Sequence, residues 1–86
     1  MERFKNITKE MESLYEKKNK DYGSSFDESI EKFGLTAAAV RMSDKFNRVC
    51  NLIKNNPEIK EESIRDTLID LANYSVMTIM DIENKK

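Results

Sequence analysis

Asp66–Ile82, DTLIDLANYSVMTIMDI, is the stretch whose reading decides the fold. It reads as one helix, apolar over most of its circumference. One stripe interrupts the apolar surface. At about 100° per residue, Asp66, Asp70 and Asn73, with Tyr74 beside them, fall within roughly a third of the circle. A carboxylate left alone in apolar surroundings is costly to desolvate. The rest of the chain is therefore expected to bring cations, a metal or a ligand to this stripe.

The bulk numbers limit what surrounds that helix. The 86 residues suit one domain, 1–86. A chain of this size buries only about 60–65% of its unfolded surface, so its core is marginal. A single cysteine provides no disulfide framework. Helices with large apolar faces gain stability by associating, which predicts a homo-oligomer. Fifteen basic and sixteen acidic residues nearly cancel, which argues against general nucleic-acid binding. The free thiol and the lack of a signal peptide fit a reducing, cytoplasmic setting. Apolar clusters such as Ser75–Met80 are too short to span a bilayer, so no membrane partner is expected. One proline and two glycines leave few breaks. The expected fold is all-α, a compact bundle of three main helices plus a short one.

The first helix is expected over Glu2–Lys18, where Phe4, Ile7, Met11, Leu14 and Tyr15 recur at helical spacing. Its simplest role is an amphipathic core helix; the alternative is a partner-binding helix. Lys17–Ser25, KKNKDYGSS, carries turn formers and is expected to be a loop. Gly23 is expected at positive φ. That loop is either a plain connection or one that turns Lys20, Asp21 and Tyr22 toward a ligand. Ser25-Phe26-Asp27-Glu28 matches the capping box, so a short helix starts there. Phe26, Ile30 and Phe33 line one side of it, and Gly34 ends it.

Thr36 can cap a helix running to about Asn55. Leu35, Ala39, Met42, Phe46, Val49 and Ile53 are spaced as a seam for packing against a neighbouring helix. Arg41, Asp44, Lys45 and Arg48 form a second stripe, centred about 110° from the seam and so at the shoulder of the core. Cys50 is a packing residue, since a thiol nucleophile wants a base and the chain has no histidine. Asn56-Pro57 opens the last helical region, which begins between Glu58 and Ser63, runs to Ile82 and frays beyond it.

Two stripes now face each other in prospect, Arg41/Asp44/Lys45/Arg48 and Asp66/Asp70/Asn73. In the structural reading the arginines pair with the aspartates as a half-buried network, a weak stabiliser because desolvation offsets the attraction. In the functional reading the stripes line a polar pocket. Arginine and lysine would present cations to phosphate, and Asn73 and Tyr74 could touch a base or sugar. Asp44, Asp66 and Asp70 could hold Mg²⁺, which takes oxygen ligands and bridges to phosphates. Without histidine, acid–base chemistry would fall to a carboxylate or a metal-bound water. No zinc pattern, Walker loop, dinucleotide glycine motif or catalytic triad is present.

Three segments, Lys17–Gly23 (KKNKDYG), Arg41–Arg48 (RMSDKFNR) and Asp66–Tyr74 (DTLIDLANY), together resemble a small phage and prophage family, the nucleotide-modification-associated domain proteins. The resemblance runs from about Leu14 to Ile82. It implies nucleotide metabolism or nucleotide recognition and, for a phage-encoded protein, the cytoplasm of the host. The layout is also distantly similar to the MazG-like all-α nucleoside triphosphate pyrophosphohydrolases, which hold Mg²⁺ between acidic helices. Asp66 and Asp70 could match their second acidic element. The first departs, with Arg41, Asp44, Lys45 and Arg48 standing where several acids are expected.

Three functions follow as expectations. The first is a non-catalytic binder of a nucleotide or cyclic nucleotide, with no cofactor, oligomeric and with sites at or near subunit interfaces. It would act as a sponge that denies an immune signal to the host's defence. Its ligand residues would be Lys20, Asp21, Tyr22, Arg41, Lys45, Arg48, Asn73 and Tyr74. The second is a Mg²⁺-dependent nucleotide pyrophosphohydrolase using Asp44, Asp66 and Asp70. The third is a helical interaction module without a small ligand. The substitution Leu71→Ala is expected to cost about 2–5 kcal/mol if that side chain is fully buried.

Overall fold

The computed structural model describes residues 1–22, 25–55 and 61–84, without the side chains at 21, 22, 55, 61 and 62. Four helices follow one another: α1 (Glu2–Tyr22), α2 (Ser25–Phe33), α3 (Leu35–Asn55) and α4 (Glu61–Asn84). No strand occurs among the described residues. The expected all-α bundle, three long helices and one short one, is the observed fold. The expectations for Gly23 and for Asn56-Pro57 lie outside the described residues.

One boundary needs correction. Residues 19–22 were expected in a loop, yet α1 runs unbroken to Tyr22. Asn19 and Asp21 are only mildly unfavourable inside a helix. Docking of α1 on α4 overrides that local preference, as packing commonly does.

Helix α2 starts at Ser25, where the capping box places it. It ends at Gly34, the one described residue with positive φ, at 73°. The Gly34 amide donates to the Ile30 carbonyl at 2.7 Å, and its own carbonyl accepts from the Ala37 amide at 3.0 Å. This C′ glycine closes α2 and turns the chain directly into α3. A Cβ at Gly34 would meet nothing within 4 Å, so Gly34→Ala is penalised by its backbone conformation alone. We expect a loss of about 1 kcal/mol in urea denaturation.

Helices α3 and α4 pack antiparallel, as three side-chain contacts show. Ser75 Oγ donates to Met42 Sδ at 3.6 Å, Lys45 Nζ to Asp70 Oδ2 at 3.3 Å, and Arg48 Nε to Thr67 Oγ1 at 3.3 Å. Partners descend along α4 as they ascend along α3. The core is small: Phe26, Ile30 and Ala38, with Ala37, Met42, Tyr74 and Met77 packed around them. Val49 and Ile69 are also buried. Phe33, expected beside Phe26 and Ile30, is instead exposed. Leu71 is only half-buried, so the full-burial cost does not apply to it.

The α3 seam is corrected more deeply. Of its six residues only Val49 is buried and Met42 half-buried, whereas Leu35, Ala39, Phe46 and Ile53 stand exposed. Helix α3 meets its neighbours through Ala38, Arg41, Met42, Lys45 and Val49. The face it turns inward is thus rotated toward the charged stripe.

Helix α1 is laid on α4 by polar ties beside a groove that Ile7 and Met11 share with Leu68, Ile69 and Ala72. Arg65 Nη1 and Nη2 donate to the two Glu10 carboxylate oxygens at 2.7 and 2.8 Å. Asn73 Nδ2 donates to the Met11 carbonyl at 3.1 Å. The Arg65 hydrogen bond holds the Glu10 carboxyl below its ordinary value, and the Glu10 hydrogen bond raises Arg65. A lowered carboxyl stabilises the fold above its ordinary pKa, and that contribution fades as pH falls through the lowered value. Both side chains are about half exposed, so the effect is small.

Candidate functional site

A cleft of about 210 Å³ opens where all four helices approach one another. Helix α1 lends Tyr15, Lys18 and Asn19, α2 lends Ser25 and Phe26, α3 lends Arg41, and α4 lends Asp70, Asn73, Tyr74 and Met77. The α4 contribution is the polar stripe of the opening stretch. Positions 70, 73, 74 and 77 share one helical face, so a single helix delivers a carboxylate, an amide and a phenol to one side.

Aromatic stacking forms the floor. The Phe26 and Tyr74 rings lie 5.0 Å apart and 10° from parallel. Phe26 is buried beneath the half-buried Tyr74. The Arg41 guanidinium sits 5.8 Å from the Phe26 centroid and the Lys45 ammonium 6.0 Å from that of Tyr74. Such cation–π placements hold each cation without consuming its hydrogen-bond donors. Arg41 Nη2 donates to Ser29 Oγ at 2.9 Å, and Ser29 Oγ donates in turn to the Ser25 carbonyl at 3.0 Å. Helix α2 therefore aims the guanidinium.

Asp70 ties three helices together. Its Oδ1 accepts from Lys18 Nζ of α1 at 2.8 Å and its Oδ2 from Lys45 Nζ of α3 at 3.3 Å. The two ammoniums would repel without the carboxylate between them. One anion thus gathers two cations beside Arg41, leaving a local excess of positive charge. The arginines do not take the aspartates, as the structural reading expected: Arg41 bonds Ser29 and Arg48 bonds Thr67. Thr67 is buried and donates to the Ser63 carbonyl at 2.8 Å. We expect Asp70→Asn to lower stability by about 1 kcal/mol, and the difference from wild type to shrink in high salt. Urea titrations at two ionic strengths check both.

The structure brings together some of the sequence candidates and not others. Arg41, Asn73 and Tyr74 line the cleft with Asp70, and Lys45 touches it through Asp70 and Tyr74. Lys20, Arg48, Asp44 and Asp66 are exposed and are not among its lining residues. The side chains of Asp21 and Tyr22 lie outside the described residues. Asp66 lines a neighbouring groove with Glu10, Lys17 and Lys18. Among the described residues, no three acidic, cysteine or histidine side chains stand close enough to share a metal ion. Asp44, Asp66 and Asp70 therefore do not form the trio a Mg²⁺ site would need, and both oxygens of Asp70 already accept from lysines.

Sequence reasoning missed Tyr15, Lys18, Asn19, Ser25, Phe26 and Met77 as cleft residues. The signal for the first three was present. With α1 continued to Tyr22, positions 15, 18 and 19 share a face, while position 20 turns away. Reading that stretch as a loop hid the period and favoured Lys20 over Lys18.

A family model described as nucleotide modification associated domain 1 matches residues 18–82. The chain belongs to that family. Every cleft residue except Tyr15 falls inside the matched segment. No curated protein and no solved structure matches the chain. No helix is long and apolar enough to cross a membrane among the described residues.

Proposed function

We propose that the cleft binds a nucleotide and does not turn it over. One observation carries this reading: Lys18 and Arg41 line the same cleft as Tyr74, stacked on Phe26. A nucleotide is an anion joined to an aromatic plane, and the cleft offers a partner for each part. The cations suit phosphate, with Arg41 able to donate in a forked geometry. The phenol rings of Tyr15 and Tyr74 suit a base, and Asn73 lines the same cleft. Ligand pockets commonly measure about 300–1,000 Å³, so a cleft of about 210 Å³ grips one end of a nucleotide and leaves the other outside.

The acidic residues support binding over hydrolysis. Asp70 serves as a tether for two lysines, a role that orients cations instead of ligating one. A binder that releases its ligand unchanged acts by lowering the free concentration. Membership in the family and the small size of the chain fit a sponge that withholds a signal nucleotide, cyclic or linear. A sponge of this kind needs a Kd below the ligand's working level, on the order of 1 μM or tighter.

Isothermal titration against a panel of linear and cyclic nucleotides tests the reading. Saturable binding, with ligand recovered intact after incubation with Mg²⁺, supports it; binding weaker than about 100 μM to every nucleotide sinks it. Release of monophosphate and pyrophosphate in Mg²⁺ would support the MazG-like alternative instead.

A further inference from the structure

The exposed surface carries a feature that the nucleotide cleft leaves unused. On α4, Leu68, Ala72, Ser75, Ile79 and Ile82 are spaced as a seam, on the side of the helix opposite Asp70, Asn73 and Met77. Leu68, Ile79 and Ile82 are 48, 55 and 41% exposed. On α3, Leu35, Phe46 and Ile53 follow the same kind of seam and are 51, 58 and 63% exposed. The Ser75–Met42 contact joins the two seams into one surface. Helix α4 thus carries a largely exposed apolar face on the side away from its polar stripe.

We propose that a second copy of this chain covers this face, packing its own α3 and α4 against it to complete a four-helix core about a twofold axis. Size supports self-association. The chain exposes 6900 Å², where a folded monomer of 10.1 kDa typically exposes about 5,300 Å². The excess, on the order of 1,600 Å² over the whole chain, is large enough to include the roughly 800 Å² each partner gives up in a standard interface. Its radius of gyration, 14.1 Å, likewise exceeds the roughly 12 Å of a self-sufficient domain of this length. The surface also suits its own image. Ala39, Ser43, Cys50, Ala72 and Ser75 stand along it, small and uncharged. Small side chains there would let the helices of an isologous pair approach closely. Both seams have the spacing that interlocks with another helix pair. The pairing leaves the two nucleotide clefts on the outer sides of the dimer, one per chain and open to solvent.

Light scattering on the full chain eluting at about 50 μM tests this, with a mass near twice 10.1 kDa expected. The variants Phe46→Glu and Ile79→Glu should run at the single-chain mass with the helical circular dichroism retained. Val40→Glu provides the control: Val40 is 54% exposed but about 120° round α3 from Phe46, and this variant should keep the wild-type mass. Should a glutamate variant unfold, Ile79→Ser in a dilution series replaces it, with at least a tenfold weaker dimer expected. A single-chain mass for the wild type at 100 μM overturns the proposal and leaves the face to a different partner. Val40→Glu dissociating as readily as Ile79→Glu overturns it too. No nucleotide enters these measurements, so they stand apart from the test of the cleft.

Discussion

Arg41→Ala is expected to weaken nucleotide binding by ten- to a hundredfold while the four helices persist. The guanidinium lines the cleft and is aimed by Ser29 and the Phe26 ring. A charge-assisted hydrogen bond to phosphate is worth about 1.5–3 kcal/mol, and each 1.4 kcal/mol is about tenfold in affinity. The structural loss is smaller: one side-chain hydrogen bond and one cation–π contact, together about 1–2 kcal/mol. Arg41→Lys separates charge from shape. It restores a cation but not the fork, so it should recover only part of the affinity. Titration of all three forms at one salt concentration reads the effect. If Arg41→Ala binds within twofold of wild type, the phosphate does not sit beside Arg41 and the assignment of the cleft fails.

The helices themselves were legible because their signals are local. The capping box at Ser25, the glycine at 34 and the apolar period of α4 each act within a turn or two, and each element appears where its signal places it. That Arg41, Asn73 and Tyr74 would line one cleft was legible for the same reason: each belongs to a stripe whose face follows from helical geometry. Pairing between helices was not legible. Periodicity gives the angle of Asp70 on α4 but not the rotation of α3 against it. A rotation of less than a quarter-turn decides whether Leu35 and Phe46 or Arg41 and Lys45 face inward. The structure settles toward the polar side, which brings Lys45 to Asp70 and Arg48 to Thr67 and leaves Leu35, Phe46 and Ile53 of the apolar seam outside. Phe26 was read as core, which it is. That it also supports the Tyr74 ring depends on a contact 48 positions away in sequence, which no local pattern encodes.

Ile30→Ala should destabilise the fold strongly. Ile30 is 1% exposed and is the largest fully buried side chain among the described residues. Truncating such a residue removes about 2–5 kcal/mol, through lost transfer energy and the cavity left behind. A domain of this size holds roughly 3–5 kcal/mol in all, so the variant should be largely unfolded at 37 °C unless association supports it. The damage reaches the cleft by a short route. Ile30 lies one helical turn from Phe26, and both pack with Ala38 in the same cluster. Emptying that space lets α2 settle, moving Phe26 from under Tyr74 and Ser29 from its bond to Arg41. Nucleotide binding should therefore fall even where the variant is kept folded by cold or by a stabilising osmolyte. Ile30→Val separates the two effects: it should cost about 0.5–1.5 kcal/mol and leave affinity within twofold. Thermal denaturation beside titration at 10 °C measures both. An Ile30→Ala protein that melts within a few degrees of wild type would mean that α2 does not anchor the floor of the cleft.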